Sequence, residues 1–331
     1  MSISDHRTNV GRGRLRNIIL TGLLLAWSSA GAGAAFAKPV LRTIPDSTPL
    51  GSGSFKVIPS MEPGLPDHTV YASLRMSVLG KRRLPLVVWA EGGCINNGTR
   101  FRWFLSEIAS HGYLVVATGR MGTLEDQIWH PPASPGVAPD PANIPPAATH
   151  SSQLIDAINW AIAENTRPGS RYFDRIDTSK VAVMGMSCGG IQAIEAGADP
   201  RVTTTVVWNS GLFPDGSGRN VMAGGRPLTK ADLARLHGSV AYISGDKSDV
   251  AFENANDDFE RLHGIPVLRA YRKDTPHEGT YGEENGGDFG RVAVAWLNWR
   301  LQGNQDAARL LSGADCGLCR DPQWVVSHAP E

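Results

Sequence analysis

The stretch of the 331-residue chain best suited to chemistry is Gly185-Met186-Ser187-Cys188-Gly189, a G-x-S-x-G pentapeptide. Alone the pattern is weak, because a glycine-rich chain of this length meets it by chance fairly often. Its context strengthens it: an apolar run, Val181–Gly185, leads in, and a helical pattern opens directly after it. A serine on so tight a strand-to-helix turn is lifted above the sheet edge, at a helix start that favours negative charge. The glycines have a steric reason, since Cβ atoms two positions either side of the serine would collide with neighbouring backbone. The chemistry is nucleophilic attack on an acyl carbon. A hydroxyl needs a base for that, and the base needs an acid to orient it.

On such a turn the partners follow the nucleophile in the order Asp/Glu, then His. Four histidines come after Ser187. His237 and His263 end amphipathic helices and His328 lies in the C-terminal tail. His277 lies in the polar loop 273–279, just after the last predicted strand, and is the candidate base. The acid is expected in the loop Gly245-Asp246-Lys247-Ser248-Asp249, after a strand at 240–244. Asp249 is preferred, with Asp246 as the alternate. The tetrahedral intermediate needs two N–H donors. One is the backbone of Cys188. The other is expected from Glu91-Gly92-Gly93-Cys94, from either Gly93 or Cys94. That placement puts Cys94 and Cys188 beside one small hole, so a Cys94–Cys188 disulfide pinning the two together is expected. Cys316 and Cys319 could form a redox pair, half a zinc site or a local disulfide. No second C-x-x-C or spaced His pair completes a zinc site, so a structural disulfide is preferred and no metal is expected. Trp208, at a strand end, and Trp129, in the proline-rich stretch 120–150, are candidate substrate-pocket residues, with core filling as the other reading of Trp208.

The elements that must position these residues alternate. Strands are expected at 55–59, 69–73, 84–90, 113–117, 181–185, 202–208, 240–244 and 267–271. Helices are expected at 99–110, 153–165 with Ser151 as cap, 188–197, 230–237, 251–263 and 288–301. Alternation of this kind means an α/β fold with a mostly parallel central sheet and helices on both faces. No linker splits it, so residues 38–331 are read as one domain.

Residues 1–37 read differently. Arg7, Arg12, Arg14 and Arg16 form a basic start, residues 18–27 an apolar run too short to span a bilayer, and Ala35-Phe36-Ala37 a cleavage site. A signal peptide cleaved after Ala37 and a secreted or periplasmic product are expected, with a retained membrane anchor as the other reading. The whole chain carries 32 Lys+Arg and 32 Asp+Glu. Residues 1–37 hold four Arg and one Asp, so the remainder has 28 basic and 31 acidic residues, a net charge of −3. That balance excludes the basic excess of a nucleic-acid binder and the charge excess of a disordered chain.

With these residues in hand, the chain resembles secreted α/β-hydrolases of the dienelactone-hydrolase and polyester-hydrolase-like kind, over about residues 53–325. The carriers are Glu91-Gly92-Gly93-Cys94, the stretch 104–113, Gly185-Met186-Ser187-Cys188-Gly189-Gly190, Trp208-Asn209-Ser210-Gly211, Ser248-Asp249-Val250-Ala251, and His277 with Thr280-Tyr281. Asn285-Gly286-Gly287 and the Cys316–Cys319 pair complete the set. The resemblance implies an α/β-hydrolase fold and a serine esterase without cofactor or metal, acting as a monomer on a small-molecule or polymeric ester. It implies no nucleic-acid partner and, after signal cleavage, no membrane. A serine peptidase or acyltransferase on the same fold is the alternative, and a non-catalytic exported binding protein a more distant one. Relatives commonly flank the catalytic histidine with glycines; here Pro276 and Glu278 take those places.

Overall fold

Nine strands line up as one sheet in the computed structural model, which describes residues 48–123, 146–220 and 226–329. They are β1 (Val57–Glu62), β2 (Leu65–Ser73), β3 (Leu84–Ala90), β4 (Leu114–Thr118), β5 (Ile176–Met186), β6 (Thr204–Trp208), β7 (Ser239–Gly245), β8 (Val267–Arg272) and β9 (Trp324–His328). Their order across the sheet is β1-β2-β4-β3-β5-β6-β7-β8-β9. The pairings from β4 through β3 to β8 are parallel, while β1, β2 and β9 pair antiparallel at the two edges. Parallel strands need crossovers, and helices supply them: α1 (Arg102–Ser110), α2 (Ser151–Thr166), α3 (Cys188–Ala196) and α4 (Phe252–Arg261). Three more, α5 (Gly287–Gln302), α6 (Gln305–Leu311) and α7 (Gly317–Arg320), precede β9.

The continuous apolar runs of β3, β4 and β5 reflect burial on both faces. Val87, Trp89, Val115 and Met184 pack with Phe104 and Ile108 of α1 and Phe289, Trp296 and Leu297 of α5. Their alternates Leu86, Val88, Val116 and Val183 pack with Leu154, Ala157 and Ile158 of α2 and Ala193 of α3. Farther along, Val207, Val240 and Tyr242 meet Ile191 and Ile194 of α3 and Ala255 of α4. The architecture is therefore α/β, with helices covering both faces of a mostly parallel sheet. The described residues fall within one compact unit, Leu41–Glu331. The expected signal peptide lies outside them. Among the described residues no helix is long and apolar enough to cross a membrane.

Several details differ from expectation. Ser151 is the first residue of α2 and not its cap; His150 precedes it, its N–H held by the Gln153 side chain at 2.8 Å. The expected helix at 230–237 is a 3-10 turn, Lys230–Arg235, because the chain must turn straight into β7. β9 was not anticipated. After buried Trp324 its residues are partly or fully exposed and lack a repeating apolar pattern, and it forms because β8 offers it an edge.

Candidate active site

The turn between β5 and α3 holds Ser187 at φ 54° and ψ −120°, a backbone conformation that side-chain-bearing residues rarely adopt. What keeps it there is close approach on both sides. A Cβ on Gly185 would lie 2.1 Å from the Gly189 carbonyl oxygen, and one on Gly189 would lie 2.2 Å from that of Ala90. Both glycines are thus required by contact, as the sequence suggested. The Ser187 N–H bonds the Trp208 carbonyl at 2.9 Å, and Ser210 Oγ donates to the Ser187 carbonyl at 2.6 Å, which ties the turn to the end of β6. Gly189→Ala is expected to cost at least the ~1–3 kcal/mol of ordinary overpacking, read as a lowered urea midpoint, because the blocking atom is backbone.

Ser187 Oγ stands 2.9 Å from His277 Nε2, and His277 Nδ1 stands 2.6 Å from Asp249 Oδ1. Three loops, after β5, β7 and β8, bring these side chains together from 90 residues apart in sequence. Asp249 is buried and fully engaged. Its Oδ1 also accepts the Ala251 N–H at 2.9 Å, and its Oδ2 accepts the Asn209 side-chain amide at 2.8 Å and the Gly245 N–H at 3.2 Å. Burial works against its charge. The hydrogen bond and charge of His277, with the Ala251 and Asn209 donors, outweigh burial and hold the carboxyl below the ordinary Asp range.

Asp246 is placed elsewhere. Its Oδ1 accepts from the Ser248 N–H and hydroxyl, and its Oδ2 accepts the Asp274 N–H at 2.7 Å. It staples the acid-bearing loop to the histidine-bearing loop, and Asp249 alone meets His277.

The loop after β3 turns tightly, with Gly93 at φ 68° and Cys94 at φ 48°. The Cys94 N–H is engaged by the Glu91 carbonyl at 3.1 Å, which leaves Gly93 as this loop's donor candidate for an oxyanion. Cys188 is the first residue of α3, so its N–H belongs to the donor-rich end of that helix. Cys94 serves differently: it forms a disulfide with Cys188, Cα–Cα 5.4 Å, binding this loop to the first turn of α3. Cys316 and Cys319 form a second disulfide, Cα–Cα 4.9 Å, around the start of α7.

Trp208 is not a pocket wall. Its indole is wholly buried among Phe104 (ring centroids 5.1 Å apart), Phe289 (5.5 Å) and Tyr281 (6.2 Å) and fills the core behind the site. Trp129 lies outside the described residues. Two supporting residues have no role that motif or spacing announces. Asn209 bridges Asp249 to the hydroxyl of buried Tyr281, which donates to Asn209 Oδ1, so the acid is backed by a continuous chain of hydrogen bonds. The available signal was position, since Asn209 directly follows β6, beside the serine turn. Among the described residues no group of His, Cys, Asp and Glu is arranged to hold a metal ion.

The arrangement presents a hydroxyl, an imidazole and a buried carboxylate in relay, beside a helix start and a glycine turn. Such a set can deprotonate the serine and receive negative charge on an adjacent oxygen. Comparison with protein-family models found no match, and comparison with curated proteins found no significant match.

Proposed function

We propose that the chain is an exported serine hydrolase of the α/β-hydrolase fold that cleaves carboxylic esters through an acyl-enzyme. The observation that carries this reading is the relay Ser187–His277–Asp249, closed at 2.9 and 2.6 Å on a serine held at positive φ. The chain order Ser, Asp, His and the strand–serine–helix turn in the parallel part of the sheet support the fold assignment. Two disulfides are what an oxidising compartment permits, and they support export.

In this reading His277 Nε2 takes the proton as Ser187 Oγ attacks the acyl carbon. Asp249 fixes the ring so that Nδ1 carries its hydrogen toward Oδ1 and stabilises the imidazolium that forms. The carbonyl oxygen becomes an oxyanion held by the N–H groups of Cys188 and Gly93. Its collapse expels the alcohol, which takes the proton from His277. Water, deprotonated by the same ring, then attacks the acyl-enzyme, and the second collapse releases the acid and frees Ser187.

A fluorophosphonate probe tests the proposal. It is expected to add one covalent label per chain, at Ser187, and none to Ser187→Ala. Absence of labelling in the folded wild-type protein would favour the non-catalytic binding reading.

A further inference from the structure

Glu91 ends the β3 segment and opens the loop that carries Gly92, Gly93 and Cys94. Its side chain has no exposed surface, and among the described residues neither carboxyl oxygen has a well-formed hydrogen bond. An ionised group so placed would be among the costliest a protein can bury. The mechanism above uses only its backbone, whose carbonyl closes the turn by accepting the Cys94 N–H at 3.1 Å. That backbone also abuts the start of α3: a Cβ on Gly189 would lie 2.7 Å from the Glu91 carbonyl oxygen. Glu91 thus sits at the joint of β3, the oxyanion loop and the helix that follows Ser187.

Among the described residues, few groups address its side chain. From β3 comes the Trp89 indole, whose N–H lies near enough to the carboxyl to favour its charged form without completing a well-formed hydrogen bond. From the segment leading into α1 comes the Arg100 guanidinium, which also feels the charge of Glu278, the neighbour of His277. From α3 comes backbone at Gly189. Burial raises the Glu91 carboxyl well above the ordinary range, against the opposing pull of Arg100.

We infer that Glu91 is a positioning residue that works as a neutral carboxylic acid, forming an uncharged floor beneath the oxyanion hole. The inference rests on the esterase reading for its purpose. The intermediate places a full negative charge on the oxygen facing Gly93 and Cys188. In a low-dielectric interior a second negative charge one or two residues away would repel it, whereas an uncharged acid fills the same space without that penalty. The proton is held throughout turnover and is not transferred.

Glu91→Gln keeps the shape and is neutral at every pH, so it separates charge from packing. The unfolded chain releases the Glu91 proton at the ordinary carboxyl value, while the native state keeps it. Above that value the native state binds more protons than the unfolded state, so wild-type stability falls relative to Glu91→Gln as pH rises, by up to about tenfold in the folding constant per pH unit. Urea unfolding of both proteins from about pH 4 to about pH 8 is expected to show a difference that grows steadily in favour of Glu91→Gln. A difference constant across that range means Glu91 ionises normally in the native state, and overturns the inference.

The kinetic arm uses aryl-ester turnover. Glu91→Ala, which opens the floor, is expected to lower kcat at least tenfold with little change in KM, and Glu91→Gln to restore most of it. A hundredfold lower kcat in Glu91→Gln would mean that the ionised carboxylate is required, again overturning the inference. If Glu91→Gln does not fold, infrared spectra of wild type carrying carbon-13 glutamate decide: a protonated-carboxyl band must persist to about pH 8. Its absence is the contrary result. Should the wild-type protein hydrolyse no ester, the esterase reading fails, while the unfolding comparison still reports on Glu91.

Discussion

Ser187→Ala is expected to abolish turnover of a small aryl ester, lowering kcat by on the order of 10⁶. His277→Ala should match it, and the double variant should be no worse than either, because a relay fails as a unit. Asp249→Asn should lose about 10⁴, through loss of the correct imidazole tautomer. Steady-state kinetics on purified variants with unchanged circular dichroism would check all four. Retained turnover in Ser187→Ala would remove the serine from the mechanism. The same position predicts an opposite effect on stability. Ser187 is held at φ 54° and ψ −120°, strain of about 1–3 kcal/mol that glycine does not feel. Ser187→Gly should therefore be inactive yet unfold at higher urea than the wild type.

The second large effect concerns the Cys94–Cys188 disulfide. It joins residues 94 apart, and closing a loop of that size restricts the unfolded chain by about 5 kcal/mol. Cys316–Cys319 spans three residues, for which the same reasoning gives about 2 kcal/mol. The Cys94→Ala/Cys188→Ala variant is accordingly expected to lose far more stability than Cys316→Ala/Cys319→Ala. It should also lose activity, because the bond ties the Gly93 loop to the Cys188 turn. Displacing one oxyanion donor costs about 10²–10³ in kcat. Urea unfolding and kinetics on the two double variants would separate these claims. Equal stability losses would mean that the long bond constrains the unfolded state less than its length implies. An unchanged kcat in the first variant would mean that the loop holds its place without the bond.

Much of this site is legible in the chain because its constraints are local. Gly185 and Gly189 appear where a Cβ would meet backbone, and β3 runs without a polar residue from Leu84 to Ala90 because both of its faces are covered. Other features need the fold. Asp246 and Asp249 follow the same strand end, and only the position of the histidine loop decides which meets His277 and which staples the loops together. Trp208 ends an apolar run that hides its own alternation. Once β6 is in register, Val206 and Trp208 share one core and Val207 faces the other. Asn209 and Tyr281 belong to no spacing rule, since they lie 72 residues from each other and Asn209 lies 40 from Asp249. β9 illustrates a different limit. Its partly exposed Val325 and Val326 and exposed Ser327 and His328 carry little strand signal, and hydrogen bonding to β8 supplies what the pattern lacks.

The two disulfides join the first cysteine to the second and the third to the fourth. A polypeptide emerges from the ribosome, or through a translocation pore, from its N-terminus. Cys94 therefore appears with no rival thiol until Cys188 arrives, and both can be joined before Cys316 and Cys319 appear. An oxidase that links thiols in order of appearance makes only native bonds on this chain. Assembly of the Gly93 loop against the serine turn then requires no disulfide shuffling, and the native pairing can form where an isomerase is scarce.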